Sequence, residues 1–136
     1  MKRIIGLDYG DVRIGIACSD PLRIIASPYE TYKRLGDDRD FEYIAALAKE
    51  KAADTIVVGL PYSMDGTDSE QTKKTREFIE KLKTFTDCKI VPIDERLSSW
   101  AAEQMLLEGD VRREDRKKVI DKIAASIILD SYLQRL

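Results

Sequence analysis

Three carboxylates stand where chemistry could use them. Asp8 ends a short β-branched apolar run, Glu95 follows another, and Asp121 lies early in an apolar stretch near the end of the chain. Converging carboxylates repel one another unless something compensates, and a divalent cation is the obvious compensation. Two such ions about 3.5–4 Å apart can activate a water and stabilise the leaving oxygen of a phosphodiester. Histidine is absent. That removes the serine–histidine–aspartate triad, the cysteine–histidine pair and the HExxH zinc site together. Two cysteines, Cys18 and Cys88, are too few for a four-cysteine zinc site. Acid–base work therefore falls to carboxylates, lysine, tyrosine or a bound ion. Hard ions such as magnesium or manganese take oxygen ligands, which 25 acidic side chains can offer. Position alone says little for any single acid, because acids at strand ends are usually turn formers or caps. Asp94, beside Glu95, competes for the same role.

These acids need elements to carry them. Residues 3–8 (RIIGLD) read as a central strand, nearly continuous in apolar character. A turn at Tyr9, Gly10 and Asp11 leads into a second strand over 12–18, antiparallel to the first. A third strand spans 24–31, with Pro28 placing it toward a sheet edge. Phe41, Ile44, Ala45, Leu47 and Ala48 recur at helical spacing over 40–52. Residues 55–59 return to strand. Thr67 and Glu70 have capping-box spacing for a helix whose apolar face is Phe78, Ile79, Leu82 and Phe85. Residues 89–94 form a fifth strand. A short helix starts from Ser98 or Ser99, runs to Leu107 and ends at Gly109. A last helix covers 116–133.

The order β-β-β-α-β-α-β-α-α predicts an α/β domain. It has a mixed five-stranded sheet of order 3-2-1-4-5, the second strand antiparallel to the rest, and helices on both faces. Asp8 and Glu95 then share the carboxyl end of the sheet, where sites form in such folds. In the last helix, Ile120, Ile123, Ala124, Ile127, Ile128 and Ser131 form a stripe with Asp121 at its border. Ala124 and Ala125 are small enough to let that helix approach the sheet.

The whole chain bounds the rest. Its 136 residues fit one domain, 1–136, and 43% hydrophobic content supports a packed core. No apolar run approaches the roughly 20 residues of a membrane span. Asp8 interrupts the N-terminal apolar stretch, so we expect no secretory signal, reduced buried thiols and a cytoplasmic protein. The net charge of −2 is not that of a protein that coats nucleic acid, although an enzyme need be basic only locally. The stretch RREDRKK at 112–118 is such a place, and Arg112, Arg113, Lys117 and Lys118 could meet phosphates. So could the backbone at Gly10 and the side chains of Arg13 and Arg96. Each also has an ordinary role as turn glycine, solvated cation or salt-bridge partner. Gly15 reads as a packing glycine and Trp100 as a packing side chain. The loop at 59–67 lacks the GKS or GKT ending of a phosphate-binding P-loop.

Four motifs run in order along nearly the whole chain: GLDYGDVRIGIA at 6–17, VVGLPYSMDGT at 57–67, DERLSS at 94–99 and DKIAASIILDSYL at 121–133. In these the sequence resembles the YqgF family, described as Holliday-junction resolvases and as nucleases maturing the 5′ end of pre-16S ribosomal RNA. The resemblance implies a ribonuclease H-like fold and a metal-dependent nuclease. It implies Asp8, Glu95 and Asp121 as catalytic, metal-binding acids for one or two Mg2+ or Mn2+ ions. The partner would be nucleic acid, either precursor rRNA or branched DNA. Processing of pre-16S rRNA is the leading expectation. Junction resolution, or a non-catalytic nucleic-acid-binding module for ribosome assembly, is the alternative. Related resolvases carry a fourth carboxylate shortly after the third, but three residues after Asp121 stands Ala124. An ATPase of the actin or sugar-kinase kind would need two such domains around a cleft, which 136 residues do not supply.

Overall fold

A computed structural model describes residues 2–61, 68–94 and 113–136, with 113–118 described by backbone alone. Among the described residues five strands and three helices follow one another as β1 (Arg3–Tyr9), β2 (Arg13–Ser19), β3 (Ala26–Lys33), α1 (Asp38–Glu50), β4 (Ala53–Leu60), α2 (Glu70–Leu82), β5 (Lys89–Asp94) and α3 (Arg113–Leu133). The sheet order is β3-β2-β1-β4-β5. Strand β2 runs antiparallel to both neighbours, while β4 runs parallel to β1 and β5 parallel to β4. This is the expected topology. Pro28 does lie on the edge strand, where the register slips between Ile16 and Ala17. Its missing N–H is tolerated there.

Side chains alternate across the sheet and build two cores. On one face Ile5, Leu7, Ile14, Ile16, Ile56 and Val58 meet α1 and α2 through Phe41, Ile44, Leu47, Phe78, Ile79 and Leu82. Stacked and tilted rings continue this core, Phe41 lying 5.1 Å from Phe78 and Phe78 4.4 Å from Tyr9. On the other face Ile4, Ala17, Val57 and Ile93 meet Ala125, Ile128, Leu129 and Leu133 of α3.

Four local expectations are corrected. Helix α2 is capped by Ser69 and Thr72, not by the Thr67–Glu70 pair. The Ser69 hydroxyl accepts from the Thr72 amide at 3.2 Å, and the Thr72 hydroxyl accepts from the Ser69 amide at 3.1 Å. Both hydroxyls also donate to the Pro61 carbonyl, a contact across the preceding loop that fixes which capping pair is used. The buried stripe of α3 is also rotated by about one residue. Ala124, Ala125, Ile128, Leu129 and Leu133 are buried, while Ile120, Ile123 and Ile127 are only half-buried. Helix α3 begins at Arg113, three residues before the expected start. The expected short helix from Ser98 or Ser99 to Leu107 lies outside the described residues. Cys18 and Cys88 are free thiols, half-buried rather than buried.

Candidate functional site

The site grows from the alternation of β1. Ile4 and Gly6 face α3, so Asp8, two residues on, shares that face at the carboxyl end of the strand. Its cross-strand partner on β2 is Gly15. A side chain at Gly15 is impossible without moving the helix, because a Cβ there would come within 1.8 Å of the Asp121 carbonyl oxygen. Gly6 serves the same approach further along, where a Cβ would lie 2.8 Å from the Leu129 Cβ and 2.9 Å from the Ala125 carbonyl oxygen. Two glycines thus seat α3 on the strands, and Asp121 lands over the position paired with Asp8. Asp121 is one and two turns before Ala125 and Leu129, and its side chain is 22% exposed, at the edge of the buried stripe.

Arg13, two residues before Gly15 on the same face of β2, reaches Asp121. Its Nε donates to Asp121 Oδ2 at 2.8 Å, with side-chain exposures of 33% and 22%. Gly10 closes the hairpin, its amide donating to the Arg13 carbonyl at 2.9 Å. A Cβ at Gly10 would lie 2.7 Å from that same carbonyl oxygen, so the turn itself requires glycine there. Asp94 pairs in register with Leu60, which belongs to the α1/α2 core, while its neighbour Ile93 packs under α3. Asp94 is therefore carried on the face away from Asp8 and Asp121. Glu95, Arg96 and Arg112 lie outside the described residues, as do the side chains of Arg113, Lys117 and Lys118. Among the described residues no three acid, histidine or cysteine side chains gather into a metal cluster.

The opposite face holds an acid that sequence reasoning missed. Asp40 is 1% exposed. It accepts from the Tyr32 hydroxyl at 2.8 Å, the Leu35 amide at 2.8 Å, the Gly36 amide at 3.1 Å and Arg34 Nε at 3.4 Å. Burial pushes its carboxyl up, but these donors outweigh burial and hold it below the usual carboxylate range. Burial and the bond to Asp40 push the Tyr32 phenol up to about 12. A polar residue at the first turn of a helix reads as solvated, so only its spacing from Arg34 could have signalled this network. Arg34 also donates to the Gly10 and Asp11 carbonyls and covers the Tyr9 ring at 4.8 Å, which pins the loop that follows Asp8.

Comparison with known proteins adds what one chain cannot hold. A family model described as RuvX, Holliday junction resolvase, matches residues 2–135. The chain belongs to the RuvX family. It is a nuclease by that membership, a hydrolase of phosphodiester bonds. A relative from Clostridioides difficile is 49% identical over 131 residues, covering 96% of this chain and 93% of that one. A second from Halalkalibacterium halodurans is 47% identical over 135 residues, covering 98% and 96%. Both carry the name "Putative pre-16S rRNA nuclease". Among solved structures, a fowlpox virus resolvase with substrate Holliday junction DNA matches with a TM-score of 0.60 at 12% identity, over 98% of this chain and 97% of that one. T. thermophilus RuvC with Holliday junction substrate matches with a TM-score of 0.58 at 9% identity, over 99% and 95%. At such identities these two show the ribonuclease H-like resolvase fold.

In this RuvX-family chain no helix among the described residues is long and apolar enough to cross a membrane.

Proposed function

We propose that the chain is a metal-dependent nuclease for structured nucleic acid, with Asp8, Glu95 and Asp121 as its metal-holding catalytic acids and the 5′ region of pre-16S rRNA as its substrate. The observation that carries this reading is the seating of Asp121 over Gly15, the cross-strand partner of Asp8. This seating supports bringing two carboxylates from distant parts of the chain together at the carboxyl end of the sheet. The donor set suits a hard ion, because both acids bring oxygen and one of them already attracts a cation, the guanidinium of Arg13. Glu95 is favoured over Asp94 as the second acid, because the alternation of β5 carries Asp94 on the other face.

One or two Mg2+ or Mn2+ ions held there would polarise the scissile phosphodiester and favour ionisation of the attacking water. The chain's own residues do the positioning. The rigid glycine-seated contact of α3 with β1 and β2 fixes the spacing of Asp8 and Asp121. Arg13, Arg96 and the basic residues Arg112, Arg113, Lys117 and Lys118 supply positive charge for the backbone phosphates, and Gly10 lets that backbone come close. A cytoplasmic site of action goes with a precursor-rRNA substrate.

The family description and the resolvase fold favour a second reading, cleavage of four-way DNA junctions. A cleavage panel separates the two. Precursor 16S rRNA and four-way junction DNA are each incubated with Mg2+, with Mn2+ and with chelator. Cleavage of the RNA that chelator abolishes is the expected result. Junction cleavage alone would move the second reading to first place. Metal-independent cleavage, or none of either substrate, would overturn the metal-dependent assignment.

A further inference from the structure

Arg13 spends little of its hydrogen-bonding capacity. A guanidinium has five N–H donors, yet among the described residues Arg13 makes a single side-chain bond, from Nε to one oxygen of Asp121. A structural arginine on this same molecule looks different. Arg23 gives Nε to the Lys2 carbonyl and grips both oxygens of Asp54 through one terminal nitrogen. The Arg13 side chain is one-third exposed and sits beside Asp8's partner Gly15 on the face of β2 that meets α3. It is anchored sideways at Asp121, and its terminal nitrogens have no other described partner.

We infer that Arg13 is the exchangeable counter-ion of Asp121: its guanidinium occupies the carboxylate before the metal arrives, and metal loading releases it to a phosphate of the nucleic-acid backbone. This rests on the proposed metal site at Asp8 and Asp121. A guanidinium and a divalent ion next to the same carboxylate repel each other, and a carboxylate oxygen bonded to one is less available to the other. A part-exposed ion pair of this kind is weak enough to be displaced. A phosphate offers the freed guanidinium a planar bidentate partner that a single carboxylate oxygen does not. Loading of metal and capture of substrate are thereby coupled, and such coupling is reciprocal.

The test uses the whole chain with Mn2+ as the metal probe and four-way junction DNA as the nucleic-acid probe, its binding measured in Ca2+. Mn2+ affinity is read by calorimetry for wild type, Arg13→Gln, Arg13→Lys and Asp121→Asn. Arg13→Gln is expected to bind Mn2+ about three- to tenfold more tightly, because competition and repulsion are both removed. The same variant is expected to bind the junction about tenfold more weakly, because a charge-assisted phosphate contact is lost. Arg13→Lys keeps the charge, so its metal affinity stays near that of wild type while its junction affinity falls part of the way. Opposite signs for metal and substrate in one variant are the signature. If Arg13 merely held Asp121 in place for the ion, Arg13→Gln would bind Mn2+ less tightly, and that result overturns the exchange. Unchanged Mn2+ affinity in Arg13→Gln overturns it as well. Wild type that binds no Mn2+, or binds it as well in Asp121→Asn, overturns the metal site itself and the exchange with it.

Discussion

The two faces of the sheet bury similar strands by opposite means. Toward α1 and α2 the strands present Ile5, Leu7, Ile14 and Ile16, which meet Phe41 and Phe78. Toward α3 the same strands present Ile4, Gly6, Gly15 and Ala17, which meet Ala125, Leu129 and the backbone of Asp121. The first face fills space with side chains and holds its helices off the sheet. The second keeps a side-chain core around Ile4, Val57 and Ile93 but leaves out the side chains at Gly6 and Gly15, and there the helix backbone comes down onto the strands. Only the second arrangement seats a helix acid, Asp121, over the strand position paired with Asp8. Each face also carries an aspartate, Asp40 buried and Asp121 part-buried. Asp40, under α1, is surrounded by four donors. Asp121, under α3, has one, an arginine that is itself one-third exposed. A carboxylate whose lone pairs are saturated by the protein serves stability. One left with coordination to spare is suited to an outside cation.

The sharpest way to break this contrast is to neutralise one acid on each face. Asp8→Asn keeps shape and removes charge. Single-turnover cleavage should fall at least about a hundredfold, because electrostatic stabilisation worth several kcal/mol is lost. The thermal midpoint should hold or rise, since crowded acids repel. Asp40→Asn should do the reverse, keeping most of the cleavage rate and losing stability. Equal cleavage by folded Asp8→Asn and wild type would remove the site from the α3 face.

A backbone test follows, with an effect on stability next in size. Gly15→Ala adds one methyl, on the α3 face, and it lands where the Asp121 carbonyl oxygen stands only 1.8 Å away. Backbone cannot rotate aside as a side chain can. Helix α3 must lift, at a cost of about 3 kcal/mol or more in unfolding free energy by denaturant titration. Because the lift also separates Asp121 from Asp8, cleavage should drop along with stability. Alanine at Ile14, the next residue on the opposite face, should lower stability by about 2–5 kcal/mol while leaving the spacing of the acids alone. A Gly15→Ala protein as stable and active as wild type would show that close approach is not what positions Asp121.

Much of this was legible in the chain itself. Runs such as RIIGLD and KIVPID are short, apolar and bounded by turn residues, so the strands, the sheet order and the strand-end position of Asp8 follow from local pattern. Bounds shift by up to two residues, β3 running Ala26–Lys33 against an expected 24–31 and β4 Ala53–Leu60 against 55–59. Phasing of α3 was harder to read. It carries apolar residues on nearly every side, Ile120, Ile123 and Ile127 among them, so periodicity alone does not choose which side meets the sheet. The choice is made by Gly6 and Gly15, more than a hundred residues away in the chain. Capping of α2 was ambiguous for a related reason, two Ser/Thr pairs being available and the Pro61 carbonyl selecting one. The Asp40 network joins β3, the following loop and α1, and no local pattern announces a tertiary cluster of that kind. The choice of Asp8 and Asp121 as candidates rests on motifs, while the seating of Asp121 over the partner of Asp8 rests on glycines.

The smallest effect sharpens the comparison of the two aspartates through pH. Asp40's carboxyl is held below its ordinary value in the folded protein, so in acid the unfolded chain binds more protons than the folded one. Its contribution to stability is therefore present above the unfolded value of about 3.9 and is lost as pH falls through the lower folded value. The phenol it bonds runs the other way. Tyr32 is pushed up to about 12 when folded, against about 10 in an unfolded chain. Its contribution is fully present below pH 10 and is lost as pH rises toward 12. Denaturant titrations across pH should show wild type exceeding Asp40→Asn by about 1–3 kcal/mol near neutrality, the cost of disturbing a buried charged acceptor. That gap should narrow below about pH 4, where wild type gives up what the variant never had. Tyr32→Phe should remove the alkaline loss without touching the cleavage rate at neutral pH. A gap between wild type and Asp40→Asn that stayed constant down to about pH 2 would mean that the four donors do not favour the ionised carboxylate. Asp40 and Asp121 would then no longer differ in the way their surroundings imply.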